Sequence, residues 1–394
     1  MAVTRPVVLA GFAESLAAIE SVWMLRDAGH RVVAFTREGR DPALAAVEGV
    51  TVVPVPSPEK DLDATLAALR ALIEVEKPVA VLPFDDASLL IADRLSTNIP
   101  IAGPTGKQAA LALDKSEQLD LAAKAGFAVP DTTVIHPGES EISEMPGDGP
   151  WMVKCAAAEV VRDGRLDRPA GGIARTEAEA RATAAGFGAP ALVQRLVDGV
   201  GEGVFGYAVN GEVHALSAHR RVRMMNPRGS GSSACRSIDV DPGLAAAVAR
   251  FCELAGWHGI FMIELLRDGE GRPWFMELNG RTWGSMALAR ARGLAYAEWA
   301  VTGALDPAFR PAVNADEQEH VLSRHLGREI VHLLAVLRGP RGADVGRWPS
   351  RGATIAAMLR PAGRTRWYNS RRGEFKVLAR DTWQTVAGQV RRKS

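Results

Sequence analysis

Two apolar runs, Gly259 to Arg267 (GIFMIELLR) and Pro273 to Leu278 (PWFMEL), each carry a glutamate where the neighbours are hydrophobic. A carboxylate inside such a strand is costly unless it is paired or bound to a cation. Glu277 and Asn279 stand two apart, so the period of a strand puts them on one face. Between the runs lies Asp268-Gly269-Glu270-Gly271-Arg272, a composition suited to a hairpin turn. A hairpin brings Glu264 alongside Glu277 and Asn279. Two carboxylates and an amide oxygen converging on one point are hard ligands, suited to magnesium bridging nucleotide phosphates. The competing reading is a pair of acids facing solvent at a sheet edge. Arg281 repeats the same face and suits a phosphate or a carboxylate.

Other side chains extend the pattern. Lys154 interrupts the apolar run WMVKC, and Lys115 opens a helix after GPTGKQAALALD. A lysine is a flexible point charge that can neutralise triphosphate oxygens, although each also reads as a surface residue. Gly171 and Gly172 have no side chain, which lets backbone N–H groups approach a phosphate; turns use such pairs as well. Residues 218–233 (AHRRVRMMNPRGSGSS) read as an arginine-bearing loop, suited to a carboxylate or a γ-phosphate or else simply a basic surface. Arg220 is its candidate for stabilising developing charge, and His219 reads as structural rather than as a general base. No nucleophile or triad is evident, as expected where chemistry depends on positioning and charge neutralisation.

Elements must hold these groups in place. Pro6 to Ala10, Arg31 to Thr36, Val50 to Val55 and Val79 to Pro83 read as strands, with helices from Glu14 to Ala28 and Asp61 to Glu74. Strands alternating with helices predict parallel βαβ units in a doubly wound domain. The turn at Gly11 lacks the full G-x-G-x-x-G spacing, so a scaffold fits better than a dinucleotide site. Asp85 and Asp86 close the fourth strand, where they either touch a ligand or cap the next helix. A helical stretch begins near Thr105 and another covers Leu111 to Ala125. From Trp151 the pattern turns antiparallel, with strands at Trp151 to Cys155, Ala191 to Leu196, Val204 to Val209 and Val213 to Ser217, and a helix at Leu244 to Ala255. Beyond Pro311, helices are expected over Glu319 to Leu337 and Ala353 to Leu359. The basic run from Arg364 to Lys393 reads first as a solvated face or a frayed end, and second as a contact for a partner or an anionic substrate.

Composition narrows the classes. The chain has 394 residues, enough for two or three units, and its 47 basic and 46 acidic side chains leave a formal charge of +1. That balance argues against a nucleic-acid binder. Three scattered cysteines form no disulfide framework or zinc pattern. Neither a signal peptide nor a membrane-length apolar run is apparent, so a cytoplasmic location is expected.

Taken in order, these motifs resemble the ATP-grasp superfamily, in particular its carboxylate–amine ligases and carbamoyl-phosphate synthetase-like members. Glu264…Glu277-Leu278-Asn279-Gly280-Arg281 resembles the family's metal signature, and Ala170-Gly171-Gly172-Ile173-Ala174 its phosphate-covering loop. Lys115 and Lys154 resemble its two nucleotide lysines. Leu192 to Gly199 resembles the linker framing adenine, with Gln194 in place of the common glutamate and backbone groups at Arg195 and Val197. Glu202 falls where a ribose-binding acid is often found. Met262 stands where some ligases carry an arginine. The resemblance covers residues 104–305 and implies a Rossmann-like domain (1–103), a central small lobe (104–195), a C-terminal lobe with the metal site (196–310) and a mixed helical extension (311–394). It implies ATP with magnesium, or manganese, and small-molecule carboxylate and amine substrates such as amino acids or peptides; a homodimer is compatible with it. Arg281, Arg220 and Lys154 would contact the reacting groups. The expected reaction is carbon–nitrogen ligation through an acyl phosphate. Phosphoryl transfer without ligation and a non-catalytic ATP-binding regulator are the alternatives.

Overall fold

The computed structural model describes residues 5–139, 144–227, 229, 231–313, 320–340, 348–360 and 363–391. Strands β1 (Val7–Gly11), β2 (Arg31–Arg37), β3 (Val50–Val55) and β4 (Ala80–Pro83) form a parallel sheet in the order β3-β2-β1-β4. Alternate residues of each strand serve opposite faces. Val8, Ala10, Val32 and Ala34 pack towards α1 (Ala18–Asp27), while Leu9, Val33, Phe35 and Val81 pack towards α2 (Leu62–Glu76) and α3 (Asp86–Arg94). This is the doubly wound arrangement expected. The first helix starts at Ala18 rather than Glu14, because the intervening turn is tied to the sheet: Ser15 Oγ donates to the Phe84 carbonyl at 2.9 Å.

Helices α4 (Lys107–Leu113) and α5 (Lys115–Lys124) are the two helical stretches expected, with the boundary after Leu113 rather than at Leu111. Asp114 separates them, its carboxylate accepting from the Ser116 and Glu117 N–H groups as an N-cap. A second sheet follows, built from β5 (Thr132–Ile135), β6 (Trp151–Cys155), β9 (Gly172–Ala174) and β10 (Ala191–Arg195) in the order β5-β10-β6-β9. Helix α6 (Glu177–Phe187) covers it through Ala180, Ala184 and Phe187. Between β6 and β9, strands β7 (Val160–Arg162) and β8 (Arg165–Asp167) form a hairpin outside that sheet. It docks on the first unit: Leu166 joins the cluster of Leu62 and Leu66, and its N–H donates to the Pro58 carbonyl at 2.8 Å.

The largest sheet has the order β15-β14-β11-β12-β13-β16-β17. Its strands are β11 (Val200–Val209), β12 (Glu212–Met224), β13 (Ser232–Ile238), β14 (Gly259–Arg267), β15 (Pro273–Asn279), β16 (Val321–Arg324) and β17 (Arg364–Trp367). On one face, Phe261, Ile263 and Leu265 meet α5 and α7 (Pro242–Ala255). On the other, Phe205, Tyr207, Ile260 and Met262 share a cluster with α1, α8 (Met286–Ala291) and α9 (Tyr296–Leu305), so the sheet and the first unit have one continuous core. Helices α10 (Leu326–Arg338), α11 (Arg351–Leu359) and α12 (Phe375–Arg391) complete the chain.

Three expectations are corrected. The 218–233 segment is mostly hairpin, because β12 continues to Met224 and β13 begins at Ser232; Arg228 and Ser230 lie outside the described residues. The helix expected from Glu319 begins instead at Leu326, after β16 has joined the sheet and His325 has capped α10; Glu319 itself lies outside the described residues. The basic C-terminal run is docked rather than frayed. Arg371 pairs with Asp27 at 2.7 Å, Arg26 with Glu374 at 3.1 Å, and Arg380 with Asp41. Lys393, at its end, lies outside the described residues. No helix among them is long and apolar enough to cross a membrane.

Candidate nucleotide and metal site

Strands β14 and β15 pair so that Glu264 lies directly opposite Glu277 and Met262 opposite Asn279. Directly opposed residues share a sheet face, so the two carboxylates and the amide lie together, as the spacing predicts. Burial, and next the charge of Glu264, push the Glu277 carboxyl above its ordinary range. Asn279 is buried, with Nδ2 3.5 Å from Met262 Sδ. The donors are hard oxygens, and a cation between them would relieve the repulsion that raises Glu277, so this set fits magnesium. Among the described residues no group of three or more His, Cys, Asp or Glu gathers as a metal site.

Two lysines face the acids. Lys154 on β6 donates to the Met276 carbonyl at 3.4 Å, and burial lowers its pKa to about 8 against the pull of Glu277 and Glu264. Lys115 begins α5, its N–H donating to the Ala156 carbonyl at 2.8 Å, and its charge acts on both Glu277 and Lys154. Arg221 on β12 reaches Glu264 Oε2 at 2.7 Å. Arg281 forms a two-pronged bond to Asp86 at 2.9 and 3.1 Å. Burial opposes ionisation of Asp86, but Arg281 and then Arg168 hold its pKa below the usual value. Asp85 caps α3 in a reciprocal box with Ser88, the capping role considered for this pair, while Asp86 is committed to the arginines. Glu159 lies beside Arg168 at 3.7 Å, its carboxyl pushed up to about 8 by burial and by Asp86 and Asp85.

No protein-family model matches the chain, and no curated protein matches it. Solved structures do. N5-carboxyaminoimidazole ribonucleotide synthetase, solved as an ADP complex, aligns over 97% of this chain and 98% of that one, with a TM-score of 0.59 and 12% identity. The L-amino acid ligase of Bacillus licheniformis aligns over 80% and 76%, with a TM-score of 0.58 and 14% identity. The biotin carboxylase domain of Hydrogenobacter thermophilus 2-oxoglutarate carboxylase, solved with ADP, magnesium and bicarbonate, aligns over 79% and 72%, with a TM-score of 0.60 and 18% identity. The fold is the ATP-grasp fold.

Within this ATP-grasp fold, the remaining candidates divide. Gly171 precedes β9, and a Cβ there would come within 2.6 Å of the Val153 carbonyl; at Gly172 a Cβ would meet nothing within 4 Å. The close approach therefore belongs to Gly171. Gln194 is buried on β10 and donates to Thr132 Oγ1 at 2.8 Å, which leaves its carbonyl oxygen as acceptor. The Arg195 N–H is already given to the Asp131 carbonyl at 3.0 Å.

Glu202 and Arg220 lie on the opposite sheet face from Glu264. They oppose each other on β11 and β12, on the face that carries Leu265, whereas Gly203 and His219 share the face of Glu264. Glu202 is buried and accepts from Arg220 at 2.7 Å and from Arg267 at 2.8 Å. The one-residue offset turns this pair away from the acids. Reading 218–224 as a loop missed Arg221; as a strand, the period of two would have placed Arg221 with His219. Arg168 and Glu159 carried no signal, since only the docked β7–β8 hairpin brings them to Asp86.

Proposed function

We propose that this chain is an ATP-dependent enzyme that activates a carboxylate as an acyl phosphate and transfers the acyl group to an amine, releasing ADP and phosphate. The observation that carries the reading is the grouping of Lys154, which donates to the Met276 carbonyl at 3.4 Å, and of Lys115 with the directly opposed Glu264 and Glu277. Lys115 and Lys154 bind phosphate oxygens and hold the γ-phosphate in line with the incoming carboxylate. Gly171 brings backbone close to the same oxygens. Arg281 and Arg221 orient anionic groups at the acid face. Magnesium or manganese held by Glu264, Glu277 and Asn279 supplies neutralisation of phosphate charge. A carboxylate oxygen attacks the γ-phosphorus while the bond to the β–γ bridging oxygen breaks. The amine nitrogen then attacks the acyl carbon, phosphate leaves with the bonding pair, and the nitrogen loses a proton.

The ligase reading is supported by the likeness to an L-amino acid ligase. A second reading, in which the activated carboxylate is bicarbonate, is favoured by the likeness to the carboxylase domain solved with that anion. Both are tested together. Purified protein with magnesium and ATP is given pooled amino acids and small carboxylates in one arm and bicarbonate with pooled amines in another. Release of ADP and phosphate that depends on the pool, and that falls at least about 100-fold in Glu277→Gln, is expected. AMP with pyrophosphate, or full turnover in Glu277→Gln, would overturn the mechanism.

A further inference from the structure

A cavity of about 430 Å³ opens where α1, α8 and the segment after β17 meet, and Arg290, Arg366, Arg371 and Arg372 line it with Trp367 and Ser370. It shares no residue with the lysine and glutamate cluster described above. One acid, Glu20, lines it, and that carboxylate is already engaged: it accepts from the Asn369 N–H at 2.7 Å and pairs with Arg290. Arg371 is held at the rim by Asp27 and Glu374. Neither Arg366 nor Arg372 has an acidic partner among the described residues, and both are exposed. The Trp23 ring lies under the guanidinium groups of Arg290 and Arg371, at 5.0 and 6.0 Å, and helps fix their positions.

We infer that this cavity is a binding site for a phosphorylated small molecule. Its volume falls in the range of small-ligand sites. Guanidinium groups from helix α8, strand β17 and the loop after it offer planar forks that match phosphate oxygens two at a time. With Glu20 neutralised by Arg290 and Arg371 by its rim acids, two arginines remain uncompensated. That balance suits a phosphoryl group, which carries about two negative charges near neutral pH, better than one carboxylate. Ser370 adds a hydroxyl, and Trp367 an aromatic wall. An occupant would touch α1 of the first unit, α8 just beyond the metal strand, and the C-terminal segment, so the site is placed to sense how these three pack.

The test uses the whole chain and inorganic pyrophosphate in titration calorimetry, with magnesium–ATP affinity measured alongside. Arg366→Ala/Arg372→Ala is expected to weaken pyrophosphate binding by about tenfold or more while ATP affinity and melting temperature hold, since both side chains are exposed. Arg366→Lys/Arg372→Lys should recover part of the loss. Unchanged pyrophosphate affinity in the alanine pair would overturn the site, as would a parallel fall in ATP affinity, because the probe would then be reporting the nucleotide lysines. Citrate binding as tightly as pyrophosphate would overturn the assignment to phosphate.

Discussion

Arg220 and Arg221 are neighbours in the chain and occupy opposite faces of the largest sheet. Arg221 bonds Glu264 beside Glu277 and Asn279, while Arg220 bonds Glu202 on the face that carries Leu265. Their removal should therefore have different consequences. Arg221→Ala is expected to lower turnover on the order of 100-fold, the usual loss for one charged group aimed at developing negative charge. Arg220→Ala should leave turnover within about twofold and lower stability by about 1 kcal/mol, because Arg220 is half exposed and Arg267 still serves Glu202. Steady-state rates and denaturant melts on the two variants separate the outcomes. Equal loss of turnover in both would show that the sheet face does not govern access to the phosphates. Both arginines were visible in the sequence as candidates of one segment; their division depended on recognising that the segment is a strand.

At the scale of elements, the turn into β9 and the hairpin before it are both placed by contacts with distant strands. Gly171 packs its Cα against the Val153 carbonyl, so the chain there has no room for a side chain, whereas Gly172 faces open space. Gly171→Ala is expected to force β9 away from β6 and raise the KM for ATP about tenfold or more, and Gly172→Ala to leave it within about twofold. An equal effect of the two would mean that flexibility of the loop, rather than close approach, is what glycine provides. The Gly-Gly pair was legible in the sequence, but which member is essential was not, because the carbonyl that decides it comes from another strand. The β7–β8 hairpin was not legible either. It is held by Leu166 in the core of the first unit and by Arg168 on Asp86, contacts between residues far apart in the chain.

Across the whole molecule, the C-terminal segment returns to the first unit and buries titratable groups at the joint. Burial pushes the Asp381 carboxyl on α12 up to about 6, with Asn369 and Arg328 opposing the shift, and its Oδ2 lies 3.3 Å from His325 Nε2. His325 is held down to about 3 by burial, so it is neutral at ordinary pH. The folded chain then binds the Asp381 proton more tightly than the unfolded chain, whose aspartates titrate near about 3.9. The ionised form opposes folding: stability from this group is lost as pH rises through about 6 and recovered as pH falls towards about 4. Asp381→Asn should therefore be more stable than the parent by about 1–3 kcal/mol at pH 8, with the difference closing near pH 4. Melts across that range check it. A constant difference at all pH values would show that Asp381 is not the titrating group.

The sequence by itself determined the parallel first unit, the β14–β15 hairpin and the order of the lysines, glycines and acids along the chain. Those features rest on local periodicity: a period of two puts Glu277 and Asn279 on one face, and alternation of strand and helix produces a two-sided parallel sheet. The tertiary structure alone decided which residues meet. It set Arg221 rather than Arg220 beside Glu264, closed Asp86 on Arg281, brought Arg168 to Asp86, and folded the basic tail onto Asp27 and Asp41. Strand register, hairpin docking and the return of the C-terminus are long-range pairings. Their energies depend on partners distant in the chain, which leave no periodic trace in either segment.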